Sequence, residues 1–242
     1  MLVPPSGAVR NLSPPAHDLS TPELLGREIA QRLEADIVTL RIPPETRLIE
    51  DDISRRFGVS RSPIREAMRL LEADGLVLRL PRRGSMVAPM SAGDFDAICV
   101  CRAPLEALAS AGAARHADAE AMAALRTALT QMADAEQRGD ALAAFTANVA
   151  ITDTLHAHCG NPVLRRLLSV VDKLALRYRY CAYRGASGFM ETAVAANRAL
   201  IAAIDLRNDA EASRITEDLI RQSRLDTLAM LQKGILEITP LG

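Results

Sequence analysis

The sequence predicts a mainly α protein in two parts. The first is an N-terminal winged helix-turn-helix of three helices and a β-hairpin wing. The second is an all-α bundle of six to seven helices. Three observations carry this reading. Helix-period segments separated by Gly and Pro signals fill residues 22–74 and lead into two short strand candidates around a Pro-Arg-Arg-Gly turn. Arginines concentrate in that same stretch. From Ser91 onward the apolar period is helical throughout, broken at short intervals by turn residues.

Each element has its local cause. Residues 1–17, with Pro4, Pro5, Pro14 and Pro15 and few large apolar side chains, read as a flexible arm. Thr21-Pro22-Glu23 opens the first helix with a capping residue, a first-turn proline and an acid against the positive helix end. Leu24, Leu25, Ile29 and Leu33 form its apolar stripe, and it closes before Ile42-Pro43-Pro44 because proline disfavours helix in the preceding residue. After a short extended piece at Arg47-Leu48-Ile49, a second helix spans about 50–57, with Ile53 and Phe57 inward at i, i+4 and Gly58 ending it. Ser60 is placed to cap a third helix over 61–74, stopped by Gly75. Strands at 76–80 and 85–88 flank the wing turn Pro81-Arg82-Arg83-Gly84.

Past Pro89, helices are expected at about 93–116, 119–138, 140–159, 162–183, 188–206 and 209–234. Gly139-Asp140, Gly160-Asn161-Pro162, the stretch from Gly185 to Gly188 and the polar residues 205–209 separate them. Pro104 lies inside the first of these and is expected to kink it. The expected organisation is an arm over 1–17, a DNA-binding domain over 18–90, an effector-binding and dimerisation domain over 91–236, and a tail over 237–242.

Composition narrows the function classes. With 242 residues, 49% of them hydrophobic, the chain can bury two cores. No apolar run reaches the roughly 18 residues of a membrane span, and the N-terminus has no secretory pattern, so the expected compartment is the cytoplasm. Net charge is −1, yet residues 53–90 carry eight arginines against three acids, +5, which leaves −6 for the remainder. A confined basic patch suits DNA phosphates and disfavours a histone-like coating protein. Lys173 and Lys233 are the only lysines. The arginine bias suits bidentate recognition, but genomic base composition in an alanine-rich chain is the preferred account of it. Cys99, Cys101, Cys159 and Cys181 form no CxxC pair and read as reduced core or boundary thiols.

Gly58 through Ala67 is the most informative stretch. Arg61, Arg65 and Arg69 recur at i, i+4, i+8 on one face of the third helix, while Ile64, Met68 and Leu71 line a neighbouring face that can pack inward. Such a helix offers guanidinium groups to a major groove, with the Ser60 and Ser62 hydroxyls near phosphate at its N-terminus. Arg82 and Arg83 on the hairpin reach a neighbouring phosphate or the minor groove. A solvated helix face with Glu66, Glu72 and Asp74 as ion partners is the competing reading; the full order of elements favours DNA.

RLIEDDISRRFGVSRSPIREAMRLLEADGLVLRLPRRGSMV is similar to the DNA-binding domain of GntR-family regulators, and the likeness runs nearly gapless over residues 20–90. Residues 93–235 resemble, more loosely, the ligand-binding FCD domain of the FadR-like branch, through Arg102-Ala-Pro-Leu-Glu106, Gly160-Asn161-Pro162 and Asn208-Asp209-Ala210-Glu211-Ala212. The resemblance implies that Arg61 and Arg65 contact operator bases, that Gly84 is the wing tip, and that the helical domain forms a homodimer reading a short pseudo-palindrome. Asp51 is a departure, since some members use an arginine at that position on DNA.

Many FCD domains hold a divalent metal through one Asp and three His. The resemblance puts those positions at Asn148, Thr152, Asn197 and Asp218, so no tightly bound transition metal and no cofactor are expected. The four polar residues are expected deep in the bundle, where a ligand, ordered water or a closed hydrogen-bond network must satisfy them. Arg102 matches a pocket-facing arginine and is the candidate anchor for a carboxylate effector, with Glu106 one turn on as its rival partner. Asp153 and His156, at i, i+3, are a relocated metal pair without a third ligand.

The expected function is a ligand-responsive transcription regulator, with repression the expected sign. Its partners would be double-stranded operator DNA, a small carboxylate and a second copy of the chain, with no membrane. An enzyme would need a nucleophile and a base; Cys159 with His156 or His158 is the local grouping, and it lacks an oxyanion motif.

Overall fold

The computed structural model describes residues 22–80, 84–185 and 188–232. The arm, Thr21, the wing arginines Arg82 and Arg83, and the tail lie outside the described residues. The described chain divides between Met90 and Ser91 into two compact units.

The first unit contains α1 (Pro22–Val38), β1 (Arg47–Leu48), α2 (Glu50–Phe57), α3 (Arg61–Ala73), β2 (Val77–Leu80) and β3 (Gly84–Val87). The strands make an antiparallel sheet in the order β1-β3-β2, with Arg47 and Leu78 both opposite Met86. Ile29, Leu33 and Ile37 of α1, Ile53 of α2, Ile64 and Leu71 of α3, and Leu76 and Val87 from the sheet side share one core. Full burial of each such side chain is worth roughly 1.5–3 kcal/mol. Helix α1 stops a turn short of the Pro43-Pro44 signal, because Leu40 turns left-handed at φ 58° and the Ile42 amide bonds back to the Asp36 carbonyl. Buried Asp36 then accepts from Arg56 of α2 at 2.9 Å, tying the first two helices together. Gly58, at φ 67°, closes α2, a conformation glycine takes without a Cβ penalty. Ser60 occupies the N-cap position of α3, but its hydroxyl makes no capping bond, so that side chain remains available at the helix end.

The second unit contains α4 (Ala92–His116), α5 (Ala119–Gln137), α6 (Ala141–Ala157), α7 (Pro162–Gly185), α8 (Phe189–Asp205) and α9 (Asp209–Gln232). The turn signals prove to be caps. Ser91, Asp118 and Asp140 accept from the amides of Asp94, Ala121 and Ala143. Asn161 accepts from Val163 and Leu164, and Asn208 from Glu211. Gly160 is required twice over: its φ is +72°, and a Cβ there would lie 2.3 Å from the His116 ring. Helix α4 runs continuously through Pro104, whose ring is on the exposed side, where the freed carbonyl of the preceding turn can meet water. By length and composition α4 could cross a bilayer, but 61% of that stretch is buried inside its own bundle. Helices α4 and α7 are antiparallel: Phe95 stacks on Tyr178 at 4.9 Å, and Leu105 and Ala109 meet Leu164 and Leu168.

Candidate functional site

Two sites emerge, one in each unit. In the first unit, α3 buries Ile64, Ala67, Met68 and Leu71 and turns Arg61, Arg65 and Arg69 outward, with side chains 63%, 67% and 65% exposed. The apolar stripe therefore fixes the roll of the helix, and the arginine row follows. All three guanidinium groups have carboxylate partners. Arg61 meets Asp51 at 2.8 Å, and Arg65 meets Glu50 at 3.3 Å. Arg69 meets Glu66 at 2.6 Å, a bond that holds the Glu66 carboxyl below its ordinary range. Of the acids expected as partners, only Glu66 is used in these pairs; the others come from the first turn of α2. Exposed pairs of this kind are worth about 0–1 kcal/mol, so a phosphate or guanine can displace the carboxylate. Ser62, Arg65 and Arg69 flank a groove of about 530 Å³ that also takes in Arg79 and Ser85 of the hairpin. Arg79 was not singled out from the sequence, although it is in the basic stretch. Gly84, exposed at φ +80°, opens β3; Arg82 and Arg83 lie outside the described residues.

In the second unit, a cavity of about 60 Å³ lies among α4, α6, α7, α8 and α9. Arg102, Asn148, Thr152 and Asn197 all line it, so four of the five expected pocket residues converge. Asp218 does not. It is exposed on α9 and accepts from Arg214 at 2.8 Å. The count along the last helix expects it on the buried face, but α9 is rolled so that Thr216, Leu219, Ile220 and Ser223 face the cavity instead.

Arg102 bonds to Glu106 at 3.0 Å, so the rival partner is engaged. The other carboxylate oxygen of Glu106, which is buried, lies 2.8 Å from His156 Nε2. Burial opposes charge on both partners; for Glu106 the nearby Arg102 and His156 outweigh it and lower the carboxyl, while for His156 the attraction of Glu106 outweighs burial and the repulsion of Arg102 and raises the imidazole. Asp153, half-buried and near Asp172, is pushed up to about 6.

The group that sequence reasoning missed is Arg179. Buried on α7, it donates to Asp172, to Asn148 Oδ1 at 2.7 Å and to Thr152 Oγ1 at 3.0 Å. Its signal was present: Leu168, Asp172, Ala175 and Arg179 recur at helical spacing, an ion pair set into an apolar stripe.

These positions do not suit a divalent metal. Asn148 and Thr152 already accept from a cation, Asn197 donates to the Ala193 carbonyl, and Asp218 is elsewhere. His156 is held by Glu106. Among the described residues, no three His, Cys, Asp or Glu are grouped to hold a metal ion.

The chain matches the model of the bacterial regulatory proteins of the gntR family over residues 25–87 and that of the FCD domain over residues 97–222. It is 34% identical over 169 residues to the HTH-type transcriptional regulator YdhC of Bacillus subtilis, a match spanning 69% of this chain and 75% of that one. It is 41% identical over 73 residues to the HTH-type transcriptional repressor RspR of Escherichia coli, spanning 30% and 32% of the two chains. The E. coli McbR/YncC structure superposes with a TM-score of 0.74 at 18% identity, covering 87% of this chain and 98% of that one, a likeness of fold alone. The chain therefore belongs to the GntR family of bacterial regulatory proteins, in the group with an FCD domain, and is a DNA-binding transcription regulator rather than an enzyme.

Proposed function

We propose that this regulator is a repressor that changes its hold on operator DNA when a small carboxylate enters the FCD cavity. The observation that carries the effector half is a wall built from two buried arginines, Arg102 and Arg179, amid Leu155, Tyr183, Phe189, Leu200 and Ile220. A guanidinium fork matches a carboxylate, and apolar walls take the rest of the molecule. At about 10–15 Å³ per water-sized occupant, a cavity of about 60 Å³ suits an acid of about four to six non-hydrogen atoms.

On DNA, Arg61 and Arg65 exchange their α2 carboxylates for base edges, while Ser60, Ser62, Arg69 and the hairpin residues Arg82, Arg83 and Gly84 address phosphates. Repression is supported by the likeness of a 73-residue stretch of the chain to a named repressor. A second copy supplies the other half-site. Its expected seat is the face of α4 and α7 where Val100, Leu108, Val163, Leu167 and Val170 are exposed in helical register.

The test is fluorescence anisotropy of the full chain on a duplex enriched from a random-sequence pool, beside an unselected duplex at two salt concentrations, with small carboxylates then added. The selected duplex should bind at least a thousandfold more tightly, and one acid class should weaken it. Equal binding of both duplexes would refute the operator reading, and indifference to every acid would refute the effector reading.

A further inference from the structure

Charges that a plain helical core would avoid line the cavity through Arg102, Glu106 and Arg179, and His156 and Asp172 bond to them from outside it. Arg102, Glu106, His156, Asp172 and Arg179 are all buried or nearly so, with side-chain exposures of 11%, 3%, 9%, 8% and 6%. Asp172 contacts both arginines, at 3.9 Å for Arg102 and in a direct hydrogen bond for Arg179. Two fixed cations thus face two fixed anions, and loss of either arginine would leave a buried carboxylate with fewer partners.

The place of Arg179 is specific. Its Nη2 donates to both Asn148 and Thr152, which project from successive turns of α6 at i, i+4. These are the two α6 positions where the resemblance puts metal ligands. A guanidinium has five N–H groups, and Arg179 directs three of them to protein acceptors. Among the described residues its Nε–H and one Nη1–H meet no protein acceptor; they lie on different edges of the guanidinium, so each can offer a single hydrogen bond to a ligand in the cavity that Arg179 lines. The spacing of two oxygen-bearing side chains around one cation has been kept, with the cation now part of the chain.

We propose that Arg179 is the built-in cation of this pocket, standing where the resemblance puts a bound metal, and that its charge and one remaining N–H receive the effector carboxylate. The inference rests on the carboxylate reading above. It makes the effector response independent of metal, and a divalent ion at the same place would meet a fixed positive charge and oxygens already engaged. Arg102, bonded to Glu106, then orients the acid from the α4 side.

The experiment uses the full chain stripped with EDTA. Melting temperature is read against acetate, propionate, lactate and pyruvate, and separately against zinc and nickel chloride at stoichiometric and tenfold levels. Wild type should be stabilised by at least one acid in EDTA and by neither metal. Arg179→Lys, which keeps the charge but loses the planar set of donors shared among Asp172, Asn148, Thr152 and the ligand, should weaken that acid at least tenfold with the circular dichroism spectrum unchanged. The pair Arg179→Gln with Asp172→Asn removes both charges together and should abolish the response. Wild-type affinity for the acid in both variants would overturn the role of Arg179 and leave the effector reading standing. Stabilisation of wild type by stoichiometric zinc or nickel would overturn the replacement of the metal. If no acid stabilises wild type, the effector reading and the carboxylate role both fail, and the metal arm still decides the replacement alone.

Discussion

Glu106→Gln tests the electrostatic logic of the pocket through a change of sign with pH. Glu106 is 2% exposed and lies 3.0 Å from Arg102 and 2.8 Å from His156. Glutamine keeps the shape and one acceptor but removes the charge between two cationic groups. Breaking a buried pair in this way costs about 3–5 kcal/mol. At roughly 2–4 °C per kcal/mol for a chain of this size, that is a fall of about 6–20 °C in melting temperature. The pH dependence is more discriminating. In the wild type the His156 pKa is raised, so its contribution is complete below its unfolded value near 6.5 and is lost as pH rises through the folded value. The Glu106 pKa is lowered, so its contribution is constant above its unfolded value near 4.5 and drops out of a comparison between pH 6 and pH 8. In the variant the attraction of Glu106 is gone, and burial together with Arg102 lowers the His156 pKa against the weaker pull of Asp172, so charging it at low pH is no longer stabilising. The loss on substitution should therefore be larger at pH 6 than at pH 8. Thermal melts of both proteins at the two pH values measure it. An equal loss at both would mean that His156 is not coupled to Glu106 as the 2.8 Å contact requires.

The other predictions concern separate features. Asp153→Asn should raise the melting temperature at pH 7.5 and leave it unchanged below pH 4, because a carboxyl held at about 6 destabilises the fold once ionised; a gain of the same size at acid pH would contradict this. Arg65→Ala should weaken a selected duplex by about 1–3 kcal/mol with the melting curve preserved, and unchanged affinity would remove α3 from the role of reading helix. Leu167→Glu, on the exposed α7 stripe, should shift the protein to monomer in sedimentation velocity; a variant as dimeric as wild type would place the interface elsewhere.

Much of this molecule could be read along the chain because the information is local. Periodicity and caps placed the six bundle helices to within about two residues, since Asn161, Asp140 and Asn208 bond amides only two or three positions away. The arginine row of α3 was legible for the same reason: Ile64, Met68 and Leu71 determine which side of that helix is left for Arg61, Arg65 and Arg69. Where the reading slipped, a partner distant in sequence decided the outcome. Arg61 and Arg65 pair with α2 acids 10 and 15 residues away rather than with neighbours on α3. Asp218 lies outside the pocket because the roll of α9 depends on its packing against the other helices, which counting from the Asn208-Asp209 break does not supply.

Local pattern along the chain accounts for the order of elements, the outward arginines and the polar character of Asn148, Thr152 and Asn197. Only the tertiary structure revealed that Arg179, 31 residues beyond Asn148, donates to that side chain and to Thr152. The reason is physical: a buried charge is tolerable only beside its partners, and those partners come from helices that meet only when the bundle closes.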